Sequence, residues 1–291
     1  MALPLVQDRT QPTPVLRAER LRYVYEGGDE ALRGVDLEVH HGRRIALVGA
    51  NGAGKTTLLL HLNGTLKPTS GVLYIEGEPV EYHRRCLKRL RATVGVVLQN
   101  PDDQLFAGAV YQDVSFGPLN LDLDETEVRE RVEQALEAMD ISGLRHRPTH
   151  MLSHGQKKRV AIAGAVAMQP KILVLDEPMA GLDPSGAWQL MGLLKRLNES
   201  GTSLIIATHD MSFAYEWAQE VAILSGGTMV AQGPPGGLMN DPATLAHHGL
   251  RIPWIVEVSK LLMECGLLPA SAMPRTRDEL RTALLTLTRR S

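Results

Sequence analysis

Cysteine is nearly absent: only Cys86 and Cys265 occur in 291 residues, and neither has a Cys-x-x-Cys or Cys/His ligand spacing. That pattern excludes a disulfide scaffold, a zinc module and a dithiol redox motif. Two isolated thiols suit a reducing compartment and read as packed small side chains. Long apolar runs are also missing. None approaches the roughly 18–20 residues that cross a bilayer, so the chain is expected to be soluble by itself and held at any membrane by a partner. The opening MALPLVQDRTQPTPVLR lacks a basic stretch followed by an apolar core, so residues 1–14 read as a short flexible lead rather than a signal peptide. Charge of one sign is lacking too: 31 Lys and Arg stand against 33 Asp and Glu, a formal net charge of -2. No bulk positive field is available to coat nucleic acid. There are no internal repeats, no low-complexity tract and no long heptad segment.

What is present is an ordinary globular balance, 44% hydrophobic and 22% charged, which is ample for a buried core. The length suits one large domain, or one of roughly 200–240 residues with a small appendage. Residues 20–40 alternate and carry turn glycines, as antiparallel strands do. Ile45 to Val48 is a short apolar strand running into a glycine-rich loop, with a helix expected over 56–63. A Pro-Thr-Ser-Gly turn and a strand follow within 67–76, and Val94 to Leu98 is a further strand ending at Gln99. Ile172 to Leu175 and Leu204 to Ala207 are apolar without alternation, the mark of strands buried on both faces of a mostly parallel sheet. Val221 to Leu224 and Thr228 to Gln232 flank Gly226-Gly227 as a hairpin.

Between them the pattern turns helical. Val128, Val132, Leu136 and Met139 recur at helical spacing, and Asp124 with Glu127 forms a start signal. Residues of about 100–168 therefore read as a helical insertion. After about 235 helices return. Pro253 opens one with Ile255, Val258, Leu262 and Cys265 on its inner face. Thr276 and Glu279 make a capping-box pattern before Leu280, Leu284 and Leu287.

Two stretches carry chemistry. GANGAGKT, residues 49–56, fits G-x-x-x-x-G-K-[ST] between a strand and a helix. Small residues there let backbone N–H groups converge on phosphate oxygens, and the helix start adds positive potential. The candidate phosphate-binding set is Gly49, Asn51, Gly52, Ala53, Gly54, Lys55, Thr56 and Thr57. Lys55 can reach the β- and γ-phosphates, and the Thr56 hydroxyl can ligate Mg2+. KILVLDEP, residues 171–178, puts Asp176 and Glu177 at the carboxyl end of a buried strand, where open α/β sheets bind ligands. Asp176 can hold the Mg2+ shell, and Glu177 can orient or deprotonate a water attacking the γ-phosphate. Such transfer needs positioning and charge neutralisation more than covalent help.

With these two stretches the chain resembles the ATP-binding cassette ATPases. The family's elements occur in order: GANGAGKT, Gln99 after a strand, LSHGQ at 152–156 leading a helix, ILVLDEP, AGLD at 180–183, and His209 in ATHD. The match covers about 15–235. The resemblance implies an α/β P-loop NTPase cassette fold: a mostly parallel core sheet, an antiparallel β subdomain, the helical insertion, and a C-terminal helical appendage over 236–291 that helps pair subunits. It implies ATP and Mg2+ as ligands. Thr56, Gln99 and Asp176 would lie around the metal, Gln99 would also sense the attacking water, and Glu177 would be the catalytic base. His209 would contact the γ-phosphate, and Tyr25 would stack on adenine. Ser153, Gly155 and Gln156 would present a helix start to the nucleotide of the opposite subunit.

One departure stands out. His154 replaces the first glycine of the usual Leu-Ser-Gly-Gly-Gln, which puts in doubt any need for a positive φ at 154. The Ser153-His154 pair also raises a nucleophile with its base; the helix-cap reading competes with it, since Ser153 and Gln156 fit a capping box. Within the family, residues 100–123, 152–168 and 274–285 resemble the ATPases of energy-coupling factor transporters, in particular the cobalt or nickel type, where the LSHGQ histidine is common. That resemblance implies a homodimer sandwiching two ATP molecules on the cytoplasmic face of the membrane. It also implies a membrane scaffold subunit reached through coupling helices, and a separate membrane subunit that binds the substrate. A vitamin-type ATPase pairing with a different cassette is the alternative in the same class. A cassette acting on DNA or ribosomes is disfavoured by the single phosphate loop and the missing coiled coil, so no nucleic-acid partner is expected. Adjacent histidines such as His40-His41 and His247-His248 are expected to point apart, as neighbours on a helix or strand do, and to make no metal cluster.

Overall fold

The computed structural model describes residues 13–269 and 272–288. The expected lead of 1–14 falls almost wholly outside the described residues, as does the side chain of Leu287.

Two sheets organise the chain. The first is four-stranded and antiparallel, in the order β2-β1-β4-β5: β1 (Leu16–Val24), β2 (Glu30–Val39), β4 (Ser70–Ile75) and β5 (Glu78–Pro79). The second is six-stranded, in the order β10-β9-β3-β8-β7-β6: β3 (Arg44–Val48), β6 (Val94–Val97), β7 (Ile172–Asp176), β8 (Ser203–Thr208), β9 (Glu220–Ser225) and β10 (Thr228–Gly233). Its five strands from β9 to β6 run parallel, and only the edge strand β10 is antiparallel.

The unbroken apolar runs of β3, β7 and β8 follow from burial on both faces. Ala46, Val48, Leu173, Leu175, Leu204 and Ile206 point into one core. Their neighbours Ile45, Leu47, Ile172, Val174, Ile205 and Ala207 point into the other. The period-2 alternation of a strand thus sorts one apolar sequence between two cores. The second core is closed by the antiparallel sheet, by α1 (Lys55–Leu62) through Leu58, Leu59 and Leu62, and by Leu90 of α2 (Arg84–Thr93).

Over the other face lie α3 (Val110–Leu119), α4 (Glu125–Ala138), α5 (His154–Val166), α6 (Pro184–Glu199) and α7 (Met211–Trp217). In α4 the Asp124 carboxylate accepts the Glu127 N–H at 2.9 Å, and Val128, Val132 and Leu136 are buried, with Met139 just beyond the helix. Pattern reading passed over α2, α6 and α7. In α2 only Leu90 and Thr93 are buried, so its apolar stripe is too thin to register. For α6 and α7 the start signals were there: Asp183 before Pro184, and Asp210, whose carboxylate accepts two N–H groups.

The chain after 235 forms α8 (Pro235–Leu238), α9 (Pro242–His247), α10 (Trp254–Glu264) and α11 (Arg277–Thr288). Leu245, Ile255, Val256, Leu268 and Leu280 join the core shared with the parallel sheet rather than forming one of their own. Arg275 fastens this region: its guanidinium donates to the carbonyls of Tyr215 and Ala218 at the end of α7.

Four expectations here need correction. The rings of His247 and His248, expected to point apart, lie edge-to-face with centroids 5.0 Å apart. The inner face of α10 is Ile255, Val256 and Ser259, with Val258 and Leu262 only partly buried and Cys265 exposed. The helix is rotated so that the Ser259 hydroxyl donates to the Ile255 carbonyl at 2.6 Å inside the core. Of the two thiols expected to be packed, Cys86 is half-buried against the second core, its Sγ accepting the Glu81 N–H at 3.3 Å, whereas Cys265 is exposed. The capping box before α11 is displaced by one position. Thr276 accepts the Glu279 N–H at 3.1 Å, but the Glu279 carboxylate takes the N–H of Arg275 at 2.7 Å.

Candidate functional site

The parallel register decides which loops meet. Val48 pairs with Thr208, Asp176 with Ala207, and Val97 with Leu175. Four neighbouring strands therefore release Gly49, His209, Glu177 and Gln99 at one carboxyl edge. Between them opens a cleft of about 530 Å³ lined by Tyr25, Ala31, Asn51, Gly52, Gly54, Lys55, Thr56, Thr57, Gln99, Asp176, Glu177 and His209.

The 49–54 loop needs its glycines. A Cβ at Gly49 would lie 2.3 Å from the Leu224 carbonyl oxygen, so the loop can enter only without a side chain. Gly54 caps α1 in the left-handed region with φ 101°, and no side chain caps the helix start. The first N–H groups of α1 are thus available to an anion, and no acidic residue opposes one in the first turn. Ala53 is buried beneath the loop. Lys55 is buried as well, its ammonium donating to the carbonyls of Gly49 at 2.7 Å and Ala50 at 3.2 Å. Burial pulls its pKa down, against the carboxylates of Glu177 and Asp176.

The Thr56 hydroxyl donates to the Asp176 carboxylate at 2.6 Å, which ties the start of α1 to the end of β7. Burial pushes the Asp176 carboxyl up, opposed by the Thr56 hydrogen bond. Glu177 sits with φ 44°, left-handed for a residue with a side chain. Its carboxylate accepts the backbone N–H of His209 at 3.0 Å and the Thr208 hydroxyl at 3.3 Å, and lies 2.7 Å from the His209 Nδ1. Tyr25 is half-exposed, with its hydroxyl 2.9 Å from the Thr57 Oγ1 and its ring edge-on to Tyr23. It lines the cleft and is 43% exposed.

Ser153, Gly155 and Gln156 are not among the cleft's lining residues. They open α5, where the capping box is complete: the Ser153 hydroxyl accepts the Gln156 N–H at 3.3 Å, and the Gln156 side chain takes the Ser153 N–H at 3.0 Å. This resolves the nucleophile-or-cap question for Ser153 in favour of the cap. His154 is the first residue of α5 and has no positive φ. Its ring lies instead against Gly181 of AGLD, where an added Cβ would come within 3.0 Å of Nε2.

Two residues of this region escaped the sequence reading. Thr208 is buried and reaches the Glu177 carboxylate. Lys158 is buried to 3% exposure, its ammonium 3.1 Å from the Glu177 carbonyl and 2.9 Å from that of Pro178. The signal for Lys158 was its place on the inner face of α5, one turn before Ala161 and Ile162.

An oxygen-lined pocket beside a lysine and a helix start is suited to a nucleoside triphosphate, and Thr56 with Asp176 supplies hard oxygen donors of the kind Mg2+ takes. Comparison with known proteins agrees on the nucleotide. The ABC transporter family model matches residues 32–180. The chain is 51% identical over 279 residues to the cobalt import ATP-binding protein CbiO of Rhodobacter capsulatus, covering 96% of this chain and 100% of that one. It is 45% identical over 248 residues to the energy-coupling factor transporter ATP-binding protein EcfA of Methanocaldococcus jannaschii, covering 85% and 89%. Among solved structures, cbiO1 of Clostridium perfringens, described as part of the ABC transporter complex cbiONQ, superposes with a TM-score of 0.72 at 42% identity, over 86% of this chain and 100% of that one. A dimeric ATP-binding cassette bound to ADP and phosphate after hydrolysis superposes with a TM-score of 0.68 at 26% identity, over 76% and 98%. The chain belongs to the ABC transporter family, as an ATP-hydrolysing cassette of the energy-coupling factor type.

Proposed function

We propose that this cassette drives import of a transition-metal ion, cobalt in the first place, as one of a pair of identical subunits at the cytoplasmic face of a membrane. The observation that carries the ATPase chemistry is the single cleft joining Lys55, Thr56, Gln99, Asp176, Glu177 and His209. Lys55 and the N–H groups of Asn51 to Thr57 hold the phosphates, and Tyr25 receives the adenine. Thr56, Asp176 and Gln99 are the residues that would hold Mg2+, which when bound offsets phosphate charge. Glu177 orients the attacking water and takes its proton, and His209 holds the γ-phosphate. Ser153, Gly155 and Gln156 aim the start of α5 at the nucleotide of the partner subunit. A γ-phosphate touched by both subunits favours the closed pair, and such differential affinity is the only way a ligand can drive closure.

No helix among the described residues is long and apolar enough to cross a membrane, so transport needs membrane partners. Phe106 and Phe116 support a docking face for them. Both are exposed, packed edge-to-face at 4.7 Å, with the exposed Leu119 on the same segment that follows Gln99. A scaffold subunit's coupling helices would seat there, and a separate membrane subunit would bind the metal. The cobalt assignment draws its support from the 51% identity to a cobalt importer along nearly the whole chain.

Affinity purification from native membranes, followed by uptake of cobalt or nickel into vesicles carrying the copurified subunits, tests this reading. Cobalt uptake that needs ATP inside and a single cassette species supports it. Selective nickel uptake moves the cargo. A second, nonidentical cassette in the complex points to the paired vitamin-type arrangement instead.

A further inference from the structure

A buried lysine with only carbonyls for company needs a reason. Lys158 has no carboxylate within ion-pair distance among the described residues; its ammonium hydrogen bonds run to the Glu177 and Pro178 carbonyls alone. Burying a charge without a counter-ion is costly, and an apolar side chain would pack there without that cost. Burial pushes this ammonium down to about 8, against the pull of Glu177 and Asp176.

The two carbonyls it grips belong to an unusual piece of backbone. Glu177 is held left-handed at φ 44° in front of a proline, a conformation that residues with side chains avoid unless neighbours over-determine it. Three bonds do so here. The Glu177 N–H donates to Ala207 at 3.0 Å, its carbonyl accepts the Ala180 N–H at 3.0 Å, and the same carbonyl receives the Lys158 ammonium. Only the last comes from outside the sheet edge and its own turn. Pro178, with no N–H, has its carbonyl fixed through Lys158 as well.

From this geometry we infer that Lys158 is a positioning residue for hydrolysis, clamping the Glu177-Pro178 peptide so that the Glu177 carboxylate is aimed at the attacking water. The inference rests on the reading of Glu177 as the residue that activates that water. It has a further consequence, because Lys158 rides on α5. The helix whose start serves one nucleotide site thereby steadies the carboxylate of the other site, within a single chain.

The test compares steady-state hydrolysis and ATP-driven dimerisation in Lys158→Met, Lys158→Gln and Glu177→Gln. Methionine keeps the length and removes the donors; glutamine restores N–H donors without charge. Lys158→Met should lower kcat about 10-fold or more, as expected for a misplaced catalytic group, while the KM for ATP stays within about 2-fold and dimerisation persists. Lys158→Gln should recover at least about 3-fold of that loss. Wild-type kcat in Lys158→Met beside an inactive Glu177→Gln overturns the lysine's role alone. Undiminished turnover in Glu177→Gln overturns the carboxylate assignment beneath it. A loss that appears in KM or dimerisation, or no advantage of glutamine over methionine, assigns Lys158 to plain structural support. Should Lys158→Met not fold, Lys158→Leu takes its place against Lys158→Gln.

Discussion

Glu177 and His209 are bound to each other twice: one carboxylate oxygen accepts the His209 backbone N–H at 3.0 Å and lies 2.7 Å from its ring Nδ1. The pairing joins the ends of β7 and β8, so both groups face one point in the cleft. An amide at 177 keeps the backbone bond but cannot take a proton. Glu177→Gln should therefore retain ATP binding and lose about 100-fold in kcat, in the range of general-base removal. An ATP-bound dimer should accumulate, visible by size-exclusion chromatography with MgATP. Normal turnover with no dimer counts against the assignment.

The Thr56–Asp176 bond predicts how the cation requirement depends on pH. Burial raises the Asp176 carboxyl above its ordinary range, so protons compete for this oxygen earlier than for an exposed aspartate. Metal binding needs the deprotonated form. The Mg2+ concentration for half-maximal hydrolysis should therefore rise as the medium is acidified towards the raised range of this carboxyl, with saturating Mg2+ restoring much of the rate. Asp176→Asn should flatten this dependence at a low activity. A half-maximal Mg2+ concentration independent of pH in the parent would remove Asp176 from the metal shell.

Tyr25 separates stacking from hydrogen bonding. Its ring lines the cleft and is exposed, while its hydroxyl is engaged by Thr57 at 2.9 Å. An aromatic contact is worth about 0.5–1.5 kcal/mol, so Tyr25→Ala should raise the KM for ATP about 3–10-fold with kcat little changed. Tyr25→Phe should stay within about 2-fold. Equal effects of both variants would assign the role to the hydroxyl and leave adenine unstacked.

The sheet was legible because its strands are buried on both faces, and such strands have only one way to read: Ile172 to Leu175 admit no solvent face. The cleft was legible for a related reason. GANGAGKT, Gln99, Asp176, Glu177 and His209 each end a strand or follow one, and parallel order brings strand ends together. For Lys158 only the burial was legible, from its place on the inner face of α5; its partners are backbone carbonyls, which every residue has, and no side-chain pattern marks which two a buried ammonium will find. The face of α10 was misjudged because Ser259 is polar by composition yet satisfies its hydroxyl within the helix, freeing it to enter the core where Cys265 was expected. His154 looked chemical from its neighbour Ser153. The helix turned the serine into a cap and laid the histidine on Gly181.

His61 supplies a prediction about stability rather than turnover. It lies fully buried in the last turn of α1, its ring edge-on to Tyr23 and its Nδ1 2.7 Å from the Thr57 carbonyl. A carbonyl can only accept, so Nδ1 carries the proton; Nε2 is buried without a partner. Burial lowers the pKa, more than the Thr57 contact raises it. The sign follows: below about pH 6.5 the unfolded chain takes up a proton that native His61 refuses. Stability is therefore lost as pH falls through that value, at up to about 1.4 kcal/mol per pH unit. His61→Phe keeps the ring contact with Tyr23 and removes the titration. Between pH 7 and pH 5.5 the variant should lose less stability than the parent in urea unfolding, whatever its stability at pH 7. Parallel losses in the two proteins would mean that His61 is protonated in the folded state, and that the space beside Nε2 accommodates the charge.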